Sequence, residues 1–236
     1  VNFVGENGRM FKVYDKEGVL QYVSESCANL QFPMAWKPSG LWIAKPELHA
    51  KTNKYSVTLF ERNGLKHNEI PLPFDFDTEQ VVNLCWNQDS EIFLIESVRG
   101  DIHVLYFYTI WNYHWYLKHY TEYQHKIIYT WSQNFTEPKQ LHLLDDTGVF
   151  STYKFDFITD HSSGKGTSDE SIVAVIDDKK LKLTNFKTQM VPPPMSSLEV
   201  AAADQINLVE FSQQGGNNLD TNSFLTVDHQ NKVTIY

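Results

Sequence analysis

Arginine is scarce in this sequence: only three of its 20 basic residues are arginines, against 29 acidic residues and a formal net charge of −9. A protein that binds a nucleic-acid backbone by itself usually gathers arginine and lysine on one face. The charge balance therefore argues against an autonomous nucleic-acid-binding protein. The charge balance is still compatible with a single weak nucleic-acid contact within a larger assembly.

Cysteine is equally scarce, with Cys27 and Cys85 far apart in the chain. They form neither a CxxC pair nor a disulfide framework, which is typical of proteins in a reducing compartment. We therefore predict a cytoplasmic location, with the nucleus as an alternative. No signal peptide is recognisable, and the apolar runs are well short of the ~20 residues that a membrane-spanning helix needs.

Catalytic motifs are missing as well. The sequence contains no GxSxG motif and no cysteine in a basic setting that would activate it. Three acidic groups could in principle form a glycosidase pair: Asp75 with Asp77, Asp145 with Asp146, and Asp177 with Asp178. The two doublets fall at predicted hairpin turns, where aspartate caps its own backbone. We predict no catalytic residue, no cofactor and no enzymatic activity.

Two other groups have a superficial likeness to ligand sites. The loop at residues 163–168 resembles a phosphate-binding loop but lacks the earlier glycine and the strand-to-helix context. The densest potential ligand cluster consists of four histidines: His103, His114, His119 and His125. Because no cysteine and no tight carboxylate pattern accompanies them, we predict no metal site.

Short strands with frequent turn signals fill the sequence, and no segment has a sustained helical period. The hydrophobic pattern predicts strands at residues 10–15 and 57–60, the second ending in an Asn63-Gly64 turn. Residues 102–108 are apolar on both faces, as in a strand that is covered on both sides. In residues 180–184 leucines alternate with lysines and threonine, which predicts an edge strand with one wet face.

A repeat organises these strands. Four segments share the order apolar residue, any residue, aromatic residue, turn and second apolar strand, and their aromatic residues are Trp36, Trp86, Trp131 and Phe211. The spacings are 50, 45 and 80 residues. A WD40-type blade repeats every 40–45 residues or so, and we therefore place a degenerate blade, with a hairpin at 172–183, in the last gap. We expect the tryptophan rings to fill the space between adjacent blades.

The predicted fold is all-β, with WD40-like β-propeller blades that bury their two apolar faces against their neighbours. Three prolines in residues 191–195 exclude a central strand there. We predict the C-terminal blades of one propeller at residues 1–190, a proline-rich connection between propellers at 191–200, and the first strands of a second propeller at 201–236. Both ends interrupt strand patterns, so we expect a fragment of a longer chain.

The aromatic cluster around Trp111, Tyr113 and Trp115 is the most unusual local feature. It is a candidate partner contact, because tryptophan and tyrosine dominate the energetics of binding interfaces. The alternative is that the rings are buried between blades, because alternate residues of a strand face the core. We favour burial and retain the three residues as the candidate contact.

Four strings resemble segments of the large scaffold subunit of the Elongator complex (the IKAP family), in the same order and at similar spacing. They are MAWKPSG at residues 34–40, LFERNGL at 59–65, NYHWYLK at 112–118, and VAVID at 173–177 followed by VPPPM at 191–195. Together they cover most of the chain. The stretch from Lys45 to Lys54 departs from the family pattern.

This resemblance implies tandem propellers at the front of a non-catalytic scaffold. The implied partners are the catalytic radical and acetyltransferase subunit and a second WD40 propeller subunit of a complex that modifies wobble uridines of tRNA. It further implies that tRNA is met only through the assembled complex, and that homodimerisation uses C-terminal regions absent here. The alternative function is a free-standing propeller that binds peptide or RNA.

Overall fold

The computed structural model describes residues 2–5, 8–27, 29–49, 51–165, 167–212 and 221–236, with side chains from Arg9 onward. In this described part of the chain, six sheets follow one another in sequence order. The strands of the first three sheets are β1 (Asn2–Gly5), β2 (Gly8–Tyr14) and β3 (Leu20–Val23); β4 (Ala35–Trp36), β5 (Trp42–His49), β6 (Lys54–Glu61) and β7 (Lys66–Asp75); and β8 (Gln80–Trp86), β9 (Phe93–Arg99), β10 (Ile102–Trp111) and β11 (His114–Tyr123).

The other three sheets are built in the same way. Their strands are β12 (Ile127–Trp131), β13 (Gln140–Asp145) and β14 (Phe150–Lys154); β15 (Asp160–His161), β16 (Ile172–Asp177), β17 (Lys180–Asn185) and β18 (Leu198–Ala201); and β19 (Ile206–Phe211), β20 (Phe224–Asp228) and β21 (Val233–Ile235). We number these sheets 1 to 6 in chain order. Neighbouring strands of each sheet are consecutive along the chain, which is the meander of a propeller blade.

The chain divides into two compact units, residues 1–105 with 122–154 and residues 106–121 with 155–236. Within the first unit, β8 packs against β4 and β5, the neighbouring sheet. Within the second unit, β19 packs against β15 and β16. Each of these sheets thus buries a face against the next, and the all-β propeller class is confirmed. In the described residues no helix occurs that could cross a membrane.

The repeated aromatic residues end the first strand of four sheets. Trp36 ends β4, Trp86 ends β8, Trp131 ends β12 and Phe211 ends β19. The last three are buried, whereas Trp36 is half exposed, so its predicted burial between blades is wrong. The repeated aromatic residues therefore mark the first strand of four of the six described sheets.

The cores are small apolar clusters between sheets. The first unit contains Phe11, Val13, Cys27, Leu30, Ile43 and Phe60 in one cluster. The second unit contains Ala174, Leu181, Leu183, Ile206, Phe211 and Phe224 in another. Ring contacts reinforce both: Phe11 meets Phe60 edge to face at 5.1 Å, and Phe211 meets Phe224 at 5.3 Å.

Strand β17 is not the predicted edge strand. It pairs with β16 on one side and β18 on the other. Lys182 is buried on it, and Nζ of Lys182 lies 2.8 Å from Oδ2 of Asp177. The prediction was wrong because an ion pair lets a lysine occupy a covered position that alternation alone assigns to solvent.

The proline-rich segment lies between β17 and β18, two adjacent strands of sheet 5. No strand occupies residues 191–195, as predicted. The amide of Ser197 donates to the carbonyl of Leu183 at 2.9 Å as the chain returns to the sheet. The division into propellers at residues 191–200 stays a prediction.

Asp169 orders the polar loop between β15 and β16. Its carboxylate accepts hydrogen bonds from the hydroxyls of Ser162 and Ser163 at 2.7 and 2.9 Å, and from the amides of Gly164 and Ser171 at 2.9 and 2.8 Å. Burial opposes its ionisation, but these hydrogen bonds outweigh it and lower the pKa of Asp169 to about 2.

We expect Asp169→Asn to remove stability that depends on pH. Because the folded pKa is depressed from 3.8 to about 2, the ionised carboxylate stabilises the fold above pH 4, and this contribution is lost as the pH falls through 2. Unfolding midpoints between pH 5 and pH 2 should therefore fall less steeply in the variant. The neighbouring exposed carboxylate gives the control Glu170→Gln, and equal slopes in Asp169→Asn and the wild type would contradict the prediction.

Candidate functional site

The candidate contact residues lie on the hairpin formed by β10 and β11. Its two-residue turn, Asn112-Tyr113, has φ angles of 47° and 62°. Positive φ at both central residues defines a type I′ turn, which matches the twist of the flanking strands. These φ angles form a tight hairpin whose tip carries Trp111 and Tyr113.

The three aromatic residues have different environments. Trp111 is 67% exposed and Tyr113 is 85% exposed, whereas Trp115 is 7% exposed. The favoured interpretation, burial of the rings, is correct for Trp115 and wrong for the other two. Strand alternation places Trp115 in the core, whereas Tyr113 lies in the turn, outside the alternating pattern, and Trp111 is the last residue of β10.

Tyr113 occupies a conformation that suits glycine. A non-glycine residue in the left-handed region costs roughly 1–2 kcal/mol, and Asn-Gly is the favoured pair for this turn. A ring that is 85% exposed gains little packing energy in return. Strain that no local packing explains is a recognised mark of a functional residue.

Two sets of hydrogen bonds hold the hairpin in the second unit. Nδ2 of Asn112 donates to the carbonyl of Pro193 at 2.8 Å, which ties the turn to the proline-rich segment. Along β11, the amide of Tyr120 donates to Oδ1 of Asn207 at 2.9 Å, and Nδ2 of Asn207 donates back to the carbonyl of Tyr120 at 2.8 Å. The proline-rich segment adds an exposed Met195 close to Pro193 in the chain.

Asp177 organises the polar base of the hairpin. Its Oδ2 lies 2.9 Å from Nε2 of His114 and 2.8 Å from Nζ of Lys182. Nζ of Lys118 donates to the carbonyl of Ile176 at 2.8 Å. These contacts join β11 to β16 and β17, so the tip is presented on a fixed support.

The same base is partly desolvated. Burial lowers the pKa of Lys118 to about 8; Lys182 acts in the same direction and Asp177 opposes it. Burial also raises the pKa of Tyr116, and the charge of Asp177 adds to this effect. The ammonium groups of Lys118 and Lys182 lie 4.6 and 5.5 Å from the centroid of the Tyr116 ring. This cluster holds the base of the hairpin, and the exposed aromatic tip lies outside it.

The four histidines do not share a site. His103 lies 2.8 Å from a carboxylate oxygen of Glu96, His114 pairs with Asp177, and His125 lies 3.2 Å from Asp146. His119 packs against the rings of Phe107 and Phe155, and burial lowers its pKa. Among the described residues, no potential metal-ligand group includes any of the four.

The acidic groups act locally, in different ways. Asp145 caps its own turn, because Oδ1 accepts the amides of Thr147 and Val149, both at 3.0 Å. For Asp177 the turn-capping interpretation is wrong, since its carboxylate pairs with His114 and Lys182 instead. The serine-rich loop at 163–168 is organised by Asp169, and its Gly166 lies outside the described residues.

Sequence reasoning missed one group of potential ligands. Glu47, His49 and Glu69 each offer a ligand atom, and the three atoms lie within 4.8 Å of one another. Glu47 and His49 lie two residues apart on β5 and so point to the same face, but Glu69 is on β7 and distant in sequence. Only the pairing of strands brings them together, and the spacing of the residues contained no signal of it.

Successive antiparallel sheets, each a meander of strands that follow one another along the chain, define a β-propeller protein. Residues 1–134 match the family model described as the ELP1 first N-terminal beta-propeller, and residues 175–236 match the ELP1 N-terminal second beta-propeller. The chain belongs to the ELP1 propeller family. The resemblance to the Elongator complex subunit is thereby confirmed.

Individual relatives agree with the family models. The chain is similar to "Elongator complex protein 1" of Drosophila melanogaster, with 40% identity over 203 residues, and to that of Mus musculus, with 34% over 240 residues. These matches cover 85% and 97% of the chain but only 16% and 17% of the relatives. The solved β-propeller domain of the Trilobed protease from Pyrococcus furiosus matches with a TM-score of 0.42 and 11% identity, over 100% of this chain and 75% of that one.

Proposed function

We propose that this chain contributes propeller surface to a non-catalytic scaffold subunit of the Elongator complex, and so supports the modification of wobble uridines in tRNA. The observation that carries the proposal is its similarity, over most of its length, to proteins named Elongator complex protein 1. The chain spans about a sixth of those relatives, so the proposal concerns one part of a scaffold.

The partners that fit this function are the catalytic radical and acetyltransferase subunit and the second WD40 propeller subunit. Binding to tRNA then belongs to the assembled complex, which is supported by the net charge of −9 on this chain. The place of action is the cytoplasm, with the nucleus as an alternative. In this proposal the catalytic subunit carries out the reaction, and this chain helps to position the subunits of the complex.

Within this function, the hairpin tip is the partner-binding element. Trp111 and Tyr113 offer large rigid rings at the tip of a supported hairpin, and such residues supply most of the energy in many interfaces. A partner that covers Tyr113 would also offset the cost of its left-handed backbone. Together, exposure and strain favour this tip as the binding element.

A substitution of Tyr113 at the hairpin tip is expected to change partner binding and stability in opposite directions. In Tyr113→Gly we expect partner affinity to fall by about 2 kcal/mol, roughly 30-fold, because a hot-spot ring is lost. The same change should stabilise the hairpin by about 1 kcal/mol, because glycine suits the positive φ. Retention of purified partner subunits by the full-length protein, with its thermal unfolding, measures both effects.

Matched variants separate the tip from general surface effects. Trp111→Ala should weaken retention in the same way, whereas Phe135→Ala, which removes an 81% exposed ring elsewhere, should not. Equal retention by Tyr113→Gly, Trp111→Ala and the wild type would show that the tip is not the contact. If the wild type retains neither partner but binds tRNA in a salt-dependent manner, the free-standing propeller is the better function.

A further inference from the structure

Three strands of sheet 2 place polar side chains on one face. Glu47 and His49 are two residues apart on β5 and so point the same way. On the next strand, Thr58 donates from Oγ1 to Oε2 of Glu47 at 2.7 Å, and Oγ of Ser56 lies 3.0 Å from Nε2 of His49. Thr58 is paired in register with Glu69 of β7, so Glu69 lies on the same face of the sheet.

The side chains of Glu47, His49 and Glu69 end in groups that commonly bind metal ions. One atom each of Glu47, His49 and Glu69 lies within 4.8 Å of the other two, and Nε2 of His49 is 3.7 Å from Oε2 of Glu69. A tetrahedral zinc ion holds nitrogen and oxygen ligands at about 2.0–2.2 Å, which places the ligand atoms roughly 3.3–3.6 Å apart. Small side-chain rotations would close the remaining gap.

A cation already occupies the space between the carboxylates. Nζ of Lys66 lies 3.4 Å from Oε2 of Glu47 and is also hydrogen-bonded to Oε1 of Glu69. Glu47 is buried, so its charge needs a positive partner close by. Lysine has a long flexible side chain and is one-third exposed here, so it can move into solvent and leave the carboxylates to another cation.

We propose that Glu47, His49 and Glu69 form a binding site for a divalent transition-metal ion such as Zn²⁺, and that Lys66 takes the place of the ion when the metal is absent. Imidazole with carboxylates is a ligand set that zinc accepts, and three protein ligands leave a fourth position for water. Thr58 would not be a ligand itself, but its hydroxyl donates a hydrogen bond to Glu47 and holds that carboxylate, as supporting groups do in metal sites. The ion would displace the Ser56 hydroxyl from His49. The site would tie β5 to β7 across β6.

The test uses Zn²⁺ alone as the probe, titrated into the metal-free full-length protein in competition with a chromophoric chelator. His49→Gln and Glu69→Gln should each weaken this site at least about tenfold, since each removes a direct ligand. Lys66→Met should tighten it at least about tenfold, because the competing positive charge is removed. The matched control is His67→Gln: His67 is also on β7, but its ring stacks on Trp42 at 5.2 Å.

The direction of the Lys66→Met effect is decisive. A purely structural ion-pair network predicts no zinc affinity to lose and no gain when the lysine is removed. The proposal is overturned if His49→Gln and Glu69→Gln bind Zn²⁺ like the wild type, or if Lys66→Met shows no tighter binding. It is supported if the two losses and the gain occur while His67→Gln is unchanged. Neither outcome depends on the hairpin or on the Elongator assignment.

Discussion

Glu96→Ala is expected to reduce the free energy of unfolding of the first unit by about 3–5 kcal/mol, because it removes the shared acceptor of a buried network. The Glu96 side chain is 8% exposed. Nδ1 of His103 lies 2.8 Å from its Oε1, and Oη of Tyr129 donates to its Oε2 at 3.0 Å. Nδ2 of Asn83 in turn donates to the Tyr129 hydroxyl at 2.9 Å.

The size of the effect follows from what the variant leaves behind. Without Glu96, the Tyr129 hydroxyl and the His103 ring lose a partner in a site from which water is largely excluded, and an unsatisfied buried polar group costs about 1–3 kcal/mol. Burial, with the charges of Cys85 and Glu96, raises the pKa of Tyr129 well above its ordinary value, so the tyrosine stays a neutral donor. The network joins β9 to β12, two strands of the first unit that belong to different sheets.

Hydrogen–deuterium exchange of β9 and β12 in the full-length protein measures this loss as faster local opening. The control is Glu91→Ala, which removes a carboxylate that is 53% exposed and lies 2.6 Å from Nζ of Lys139. An exposed ion pair of this kind contributes about 0–1 kcal/mol. Similar exchange in the two variants would mean that the buried network does not stabilise the contact between the sheets.

Gly64→Ala is expected to destabilise the first unit by about 2–5 kcal/mol, from two causes that add. Gly64 has φ = +90°, a conformation that L-residues rarely adopt. A Cβ atom there would lie 2.5 Å from Cα of Ser24 and 2.7 Å from the carbonyl oxygen of Val23. Both are backbone atoms, which a rotamer change cannot move away.

A second glycine separates the two causes. Gly18 has φ = +82°, but a Cβ atom added there would meet no heavy atom within 4 Å, so Gly18→Ala carries only the conformational cost of about 1–2 kcal/mol. Chemical denaturation of both variants in the full-length protein gives the difference. If Gly64→Ala costs no more than Gly18→Ala, the close approach of the two backbones is not as tight as the structure has it.

The Asn63-Gly64 turn shows that the sequence predicted where a turn lies, whereas the structure determined its conformation. The dipeptide correctly predicted a hairpin between β6 and β7, but only Gly64 has a positive φ. The amide of Gly64 donates to the carbonyl of Glu61 at 2.9 Å, and the amide of Glu61 donates to the carbonyl of Leu65 at 2.8 Å. This is a three-residue loop with glycine in the left-handed position, so the turn lies where it was predicted but has a different conformation.

By itself, the sequence determined the fold class, the sheet starts at Trp36, Trp86, Trp131 and Phe211, and the family. These properties follow from local order: alternation sets which strand face is apolar, and a repeating aromatic residue marks the first strand of four sheets. The strings that resemble the Elongator scaffold are likewise properties of sequence order. Nothing in them requires knowledge of distant contacts.

Only the tertiary structure decided which polar residues meet. Lys182 became buried because Asp177 lies 2.8 Å away, Tyr113 became the exposed tip of a supported hairpin, and Glu69 joined Glu47 and His49 through the pairing of β6 with β7. Each outcome depends on groups far apart in the chain. The free energy of a buried charge or a shared ligand is set by what surrounds it in space, and sequence spacing does not contain that information.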